Sequence, residues 1–161
     1  MQPADIELVK KLFGLLDAQK LNLSTAESCT GGGIGSWLTS QAGSSVWYLG
    51  GYIAYSNTAK VRDLSVPQEA LDNYGAVSEQ VAGYMAMGAA NRTESDLAIS
   101  VTGIAGPGGG SVEKPVGTVC FGLYFQGQQY TETCQFDGSR QEVQYQSIQH
   151  AIQLSINLLD K

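Results

Sequence analysis

With 161 residues, 43% of them hydrophobic, the chain is long enough to bury one substantial core and falls within the usual size of a single domain. Its 9 Lys and Arg against 15 Asp and Glu leave a net charge of -6 at pH 7, a surface that repels polyanions and argues against general nucleic-acid binding. Three cysteines, Cys29, Cys120 and Cys134, without a C-x-x-C pair, argue against a disulfide framework or a zinc site and point to a reducing compartment, the cytoplasm.

Met1 to Asp5 lacks the positive segment of a leader, and no run approaches the roughly 18 uninterrupted apolar residues of a membrane span. Ile6, Val9, Leu12, Phe13 and Leu16 recur at three- and four-residue steps and predict an amphipathic helix that Asp17 to Lys20 ends. Leu21 to Ala26 reads as a short strand. It leads through Glu27-Ser28-Cys29-Thr30 and the glycines 31, 32, 33 and 35 into a helix containing Ile34, Trp37 and Leu38. Val46 to Tyr55 is rich in β-formers and predicts a second strand, with Ser56-Asn57-Thr58 at its exit and Lys60 just beyond. Ser65-Val66-Pro67-Gln68-Glu69 resembles a helix start, and Ser78-Glu79-Gln80 caps a longer helix through Met87 and Ala90. Leu97 to Val101 and Val116 to Phe125 are strands separated by the glycine-rich loop from Gly103 to Ser111. Gly127-Gln128-Gln129 is expected to turn a hairpin into Tyr130 to Phe136. Ser139 then caps a final helix carrying Val143, Ile148, Ile152, Ile156 and Leu159. The sum is an α/β domain with helices flanking a mixed sheet, with no internal repeat and no linker.

The chemistry is narrowed by elimination. His150, the one histidine, lies within the last amphipathic helix beside Ala151 and Ile152 and reads as a surface or packing residue, so a Ser-His-Asp triad is not expected. No H-E-x-x-H and no closely spaced His/Asp/Glu cluster suggests a metal. Gly31-x-Gly33-x-x-Ser36 approaches the dinucleotide fingerprint but lacks a carboxylate roughly twenty residues on, and no Gly-Lys-Ser/Thr follows Gly103 to Ser111 to make a P-loop. Residues 28 to 62 contain no Asp or Glu but include Lys60 and Arg62, and backbone N–H groups at the start of the Ile34 helix can hold a phosphate or an oxyanion. The other reading is that these glycines only let strand and helix pack closely. What remains is a serine or cysteine activated by a desolvated lysine. Ser28, at a strand-to-helix turn, is the best-placed hydroxyl, although a helix N-cap explains it equally well. Lys60 and Lys114 are the lysines outside the terminal helices.

Thr25-Ala26-Glu27-Ser28-Cys29-Thr30-Gly31-Gly32 resembles the signature of the competence-protein CinA C-terminal family. Gly43-Ser44-Ser45, Tyr55-Ser56-Asn57 with Lys60, Gly75-Ala76-Val77-Ser78-Glu79, Gly103-Ile104-Ala105-Gly106-Pro107 and Lys114-Pro115-Val116-Gly117-Thr118-Val119 come after it in the family's order. The likeness runs over nearly the whole chain, so residues 1–161 are expected to form one domain of this type rather than the two-domain form. The resemblance implies a three-layer α/β/α sandwich and a serine–lysine amidohydrolase that converts nicotinamide mononucleotide to nicotinate mononucleotide and ammonia, in pyridine nucleotide recycling. Carried over, Ser28 is the nucleophile, Lys60 the base and Tyr55 an auxiliary hydroxyl. Thr30, Gly31, Gly32, Asn57, Gly103, Gly106 and Arg140 are the expected substrate-binding residues. Cys29 is the alternative nucleophile, because a thiol needs less activation. Family members commonly carry two arginines around the start of the last helix, whereas Gln144 stands in the second place here. The rival readings are a non-catalytic nucleotide-binding module of the same family and an interaction protein in DNA uptake or repair, the latter disfavoured by the acidic charge. The expected partners are a small pyridine nucleotide as substrate and further copies of the chain in a homo-oligomer, with no nucleic acid, membrane, cofactor or metal.

Overall fold

The computed structural model describes residues 1–161 and joins six α-helices to five strands. The elements are α1 (Pro3–Gln19), β1 (Leu23–Glu27), α2 (Gly33–Thr39), β2 (Tyr48–Ile53), α3 (Asn57–Leu64), α4 (Gln68–Tyr74), α5 (Glu79–Thr93), β3 (Leu97–Gly103), β4 (Thr118–Phe125), β5 (Gln128–Gln135) and α6 (Arg140–Leu159). The strands form one mixed sheet in the order β2-β1-β3-β4-β5. β1 runs parallel to both β2 and β3, and the β3-β4 and β4-β5 pairs are antiparallel.

Side chains alternate across the sheet and split the core in two. Leu97, Ile99 and Val101 of β3 join Val9, Leu12 and Leu16 of α1, Ile34 and Leu38 of α2 and Ile152 and Ile156 of α6 on one face. On the other face the alternate position Ala98 meets Leu64, Val81, Met85, Ala86 and Ala89 of α3 and α5. Small residues there let α5 lie close to the strands. A Cβ on Gly122 of β4 would stand 2.5 Å from the Ala82 carbonyl oxygen of α5. The result is the expected α/β/α sandwich.

Two local expectations are corrected. Asn57 to Leu64 is a helix, capped by the Ser56 hydroxyl, which accepts from the Ala59 N–H at 3.0 Å, so Lys60 sits on a helix and not on a bare exit loop. The β4-β5 turn is Gln126-Gly127, both at positive φ (51° and 77°), and Gln128 already pairs with Phe125. Two residues at positive φ are what a tight hairpin matching the sheet twist requires. The remaining differences are strand ends shifted by one or two residues.

Candidate functional site

The three parallel strands end on the same side of the sheet, and the segments just beyond their carboxyl ends supply the site. Outside the carboxyl ends of such strands is where open α/β sheets bind ligands. Ser28 comes directly after β1, its N–H held by the Val101 carbonyl of β3 at 3.0 Å. Gly103 ends β3. Beyond β2, the Ala54 N–H donates to the Glu27 carbonyl at 2.8 Å, and the first turn of α3 brings Lys60 back toward β1.

Lys60 is 1% exposed, one of the largest fully buried side chains of the protein. Its Nζ lies 3.0 Å from Ser28 Oγ, 3.0 Å from the Ala54 carbonyl oxygen and 3.4 Å from that of Tyr55. None of the protein's ion pairs includes it. Burial without a carboxylate partner disfavours the charged form and holds the amine below the usual lysine range. In the neutral amine two N–H bonds can point at the two carbonyls, which leaves the lone pair facing the serine hydroxyl. A hydroxyl in that position can be deprotonated as it attacks.

The turn that presents Ser28 is held by Glu27. This buried carboxylate accepts from the Thr30 hydroxyl at 2.6 Å and from the N–H groups of Gly32, Ile34 and Gly35 at 3.1, 3.0 and 2.8 Å. The N-terminus of α2, expected to receive an external anion, is thus already occupied by a carboxylate of the chain. Gly31 donates its N–H to the Ser28 carbonyl at 3.1 Å. Thr30, Gly31 and Gly32 shape the turn behind the serine and do not line the cavity. The Thr30 N–H donates to no group of the protein and is left available.

A cavity of about 250 Å³ opens in front of Ser28, lined also by Cys29, Tyr55, Asn57, Lys60, Gly103 and Arg140. Of the expected substrate-binding residues, Asn57, Gly103 and Arg140 line this cavity, whereas Gly106 contributes through its carbonyl, which accepts from Arg140 Nη1 at 2.8 Å. The Tyr55 hydroxyl accepts from Arg140 Nη2 at 2.9 Å and has no bond to Ser28 or Lys60, so the tyrosine and the arginine form one rim. Gln144 donates to the Cys29 carbonyl at 2.9 Å and braces the turn. Burial pushes the Cys29 thiol up to about 12, which leaves it protonated and unreactive at neutral pH. Lys114 caps the Tyr74 carbonyl on the surface at 2.7 Å, which removes it as a rival to Lys60.

Sequence reasoning misses Ala76, Val77, Thr102 and Ala105 in the lining. Thr102 had a signal, a hydroxyl extending the apolar run of β3; its Oγ1 donates to the Ala76 carbonyl at 2.9 Å and ties the loop before α5 to the strand. Glu132 and Cys134 of β5 converge with His150 of α6.

Fold and site together define an α/β/α domain with a buried lysine–serine pair in a cavity at the carboxyl ends of its parallel strands. The chain belongs to the CinA family, the model of whose C-terminal domain matches residues 5–159. The nicotinamide-nucleotide amidohydrolase PncC of Enterobacter agglomerans is 45% identical over 151 residues, covering 93% of this chain and 92% of that protein. A putative competence-damage inducible protein of Symbiobacterium thermophilum is 45% identical over 159 residues, but the chain spans only 37% of its length. Three further relatives, from Clostridium beijerinckii, a Geobacter species and Moorella thermoacetica, are likewise matched over about a third of their length. Among solved structures, the competence/damage inducible protein CihA of Agrobacterium tumefaciens superposes with a TM-score of 0.94 at 40% identity, over 100% of this chain and 99% of that one. A CinA superfamily protein of Klebsiella pneumoniae gives 0.94 at 35% identity, over 97% and 98%.

Proposed function

We propose that the chain hydrolyses the carboxamide of nicotinamide mononucleotide to nicotinate mononucleotide and ammonia, as part of pyridine nucleotide recycling. The observation that carries the reading is the 3.0 Å approach of a buried, unpaired lysine amine to the Ser28 hydroxyl. The name of the Enterobacter agglomerans relative supports the substrate class.

Lys60 Nζ takes the hydroxyl proton as Ser28 Oγ bonds to the carboxamide carbon, and the carbonyl electron pair moves onto oxygen. The Cys29 N–H, directly after the nucleophile and part of the cavity lining, donates to no other residue of the chain and receives that oxyanion. A well-aimed donor of this kind contributes about 3 kcal/mol. The ammonium of Lys60 returns its proton to the departing nitrogen, the C–N bond breaks, and ammonia leaves an acyl-serine. Water, deprotonated by the same amine, then cleaves the ester and restores Ser28. Arg140, held by Tyr55 and Gly106 at the rim, binds the phosphate of the nucleotide; a fixed guanidinium suits phosphate geometry.

The test is ammonia release from nicotinamide mononucleotide by the wild type, Ser28→Ala and Cys29→Ala. Activity lost in the first variant and kept in the second supports the reading, and the reverse overturns it. No turnover by the wild type on any pyridine nucleotide carboxamide would leave a binding module.

A further inference from the structure

We propose that Glu132, Cys134 and His150 form a divalent-cation site of the zinc class that staples the edge strand β5 to α6. Glu132 and Cys134 are two residues apart on β5 and so point to the same face of the sheet, the face that α6 covers. Cys134 Sγ lies 3.3 Å from His150 Nε2 and 3.3 Å from Glu132 Oε1, and the same imidazole nitrogen also meets Glu132 Oε1. All three donor atoms fall within 4.8 Å of one another. Around a tetrahedral zinc, a thiolate sulfur and an imidazole nitrogen stand about 3.5 Å apart, so the sulfur–nitrogen spacing needs almost no adjustment.

The imidazole is held in place from the sides. Its ring packs against Phe121 and Phe136, with centroids 4.8 and 5.9 Å away. His150 also lines an open groove of about 460 Å³ with Asp5, Gln146 and Gln149, which gives an ion a path from solvent. One sulfur, one nitrogen and one carboxylate oxygen select a borderline-soft cation such as Zn²⁺ or Co²⁺ over Mg²⁺ or Ca²⁺. Three protein ligands leave a fourth position for water. None of the three residues lines the cavity in front of Ser28, so this site stands or falls independently of the amidohydrolase reading.

The test is titration of the full chain, freed of metal with a chelator, with Zn²⁺ monitored by calorimetry and with Co²⁺ monitored by absorption. The expected results are one ion per chain, a thiolate-to-cobalt charge-transfer band in the near ultraviolet, and a Tm raised by roughly 5 °C at a hundredfold excess over Kd. Cys134→Ser abolishes the band, the isosteric Glu132→Gln weakens Zn²⁺ binding at least about tenfold, and Cys120→Ser changes neither. Melting of each variant with chelator present reports whether it folds, and Glu132→Gln decides the matter if Cys134→Ser does not fold. The proposal is overturned if the wild type takes up no stoichiometric Zn²⁺ at micromolar concentrations. It is equally overturned if uptake and the cobalt band persist in the folded Cys134→Ser and Glu132→Gln variants.

Discussion

A lysine with 1% of its surface exposed and no carboxylate beside it is costly to the fold. Its folded pKa lies below its unfolded value, so the unfolded chain binds more protons between the two, and stability rises with pH through that window. At neutral pH, Lys60→Met is therefore expected to raise Tm by a few degrees and to flatten the rise of Tm on the alkaline side, as melting curves across pH will read. The same variant is expected to lose about 10²- to 10⁴-fold in kcat, the contribution of a positioned base. Lys60→Arg does not restore turnover, because a guanidinium keeps its proton at any working pH. In the wild type, kcat/KM rises with pH through an ionisation below the usual lysine range that residual activity of the variants lacks. Near-normal turnover in Lys60→Arg would mean that the residue serves only as a positive charge. For Arg140→Ala the expected change is a KM raised about tenfold or more for the mononucleotide, with free nicotinamide turned over as before. Equal losses on both substrates would remove Arg140 from phosphate binding.

Between residue and fold stand the elements that hold the pair together. Glu27 closes the N-terminus of α2 with four accepted hydrogen bonds, and each N–H there finds an acceptor without leaving the chain. Glu27→Gln removes the charge that faces the helix dipole and turns an NH₂ toward one of those donors. The expected cost is about 1–3 kcal/mol of stability, measured by denaturant unfolding, together with a lower kcat as the Ser28 turn loosens. Unchanged stability would show that water serves the same donors equally well. Helix α3 carries the other half of the pair, and α5 packs against it where Gly88 has no side chain. A Cβ at Gly88 would stand 2.0 Å from the Leu64 carbonyl oxygen, so Gly88→Ala must push α3 away. That variant is expected to lose about 1–3 kcal/mol and also activity, although it touches nothing in the cavity. Melting and ammonia assays on the same preparation check both. Retained activity would mean that α3 shifts without parting Lys60 from Ser28.

At the scale of the whole molecule, the amphipathic spacing of α1, α5 and α6 and the β-rich runs are legible because each buries a long apolar stripe against the sheet. Helix α3 is not legible, since its eight residues bury only Ala59, Lys60 and Leu64, and a lysine on the inner face hides the apolar period. Ser28 and Lys60 stand out in the sequence through elimination and family resemblance. Their 3.0 Å approach is a property of the parallel β2-β1-β3 arrangement. Neither the capture of the α2 N-terminus by Glu27 nor the meeting of Glu132, Cys134 and His150 is encoded in local spacing. Each depends on how a strand end or an edge strand lies against a helix. By itself the sequence determined the α/β class, the order of most elements and the residue types able to do the chemistry, because periodicity and turn residues act over a few neighbours. Tertiary structure alone decided which amine is buried, which thiol is inert and which donors remain free, because desolvation and hydrogen-bond partners come from segments far apart in the chain.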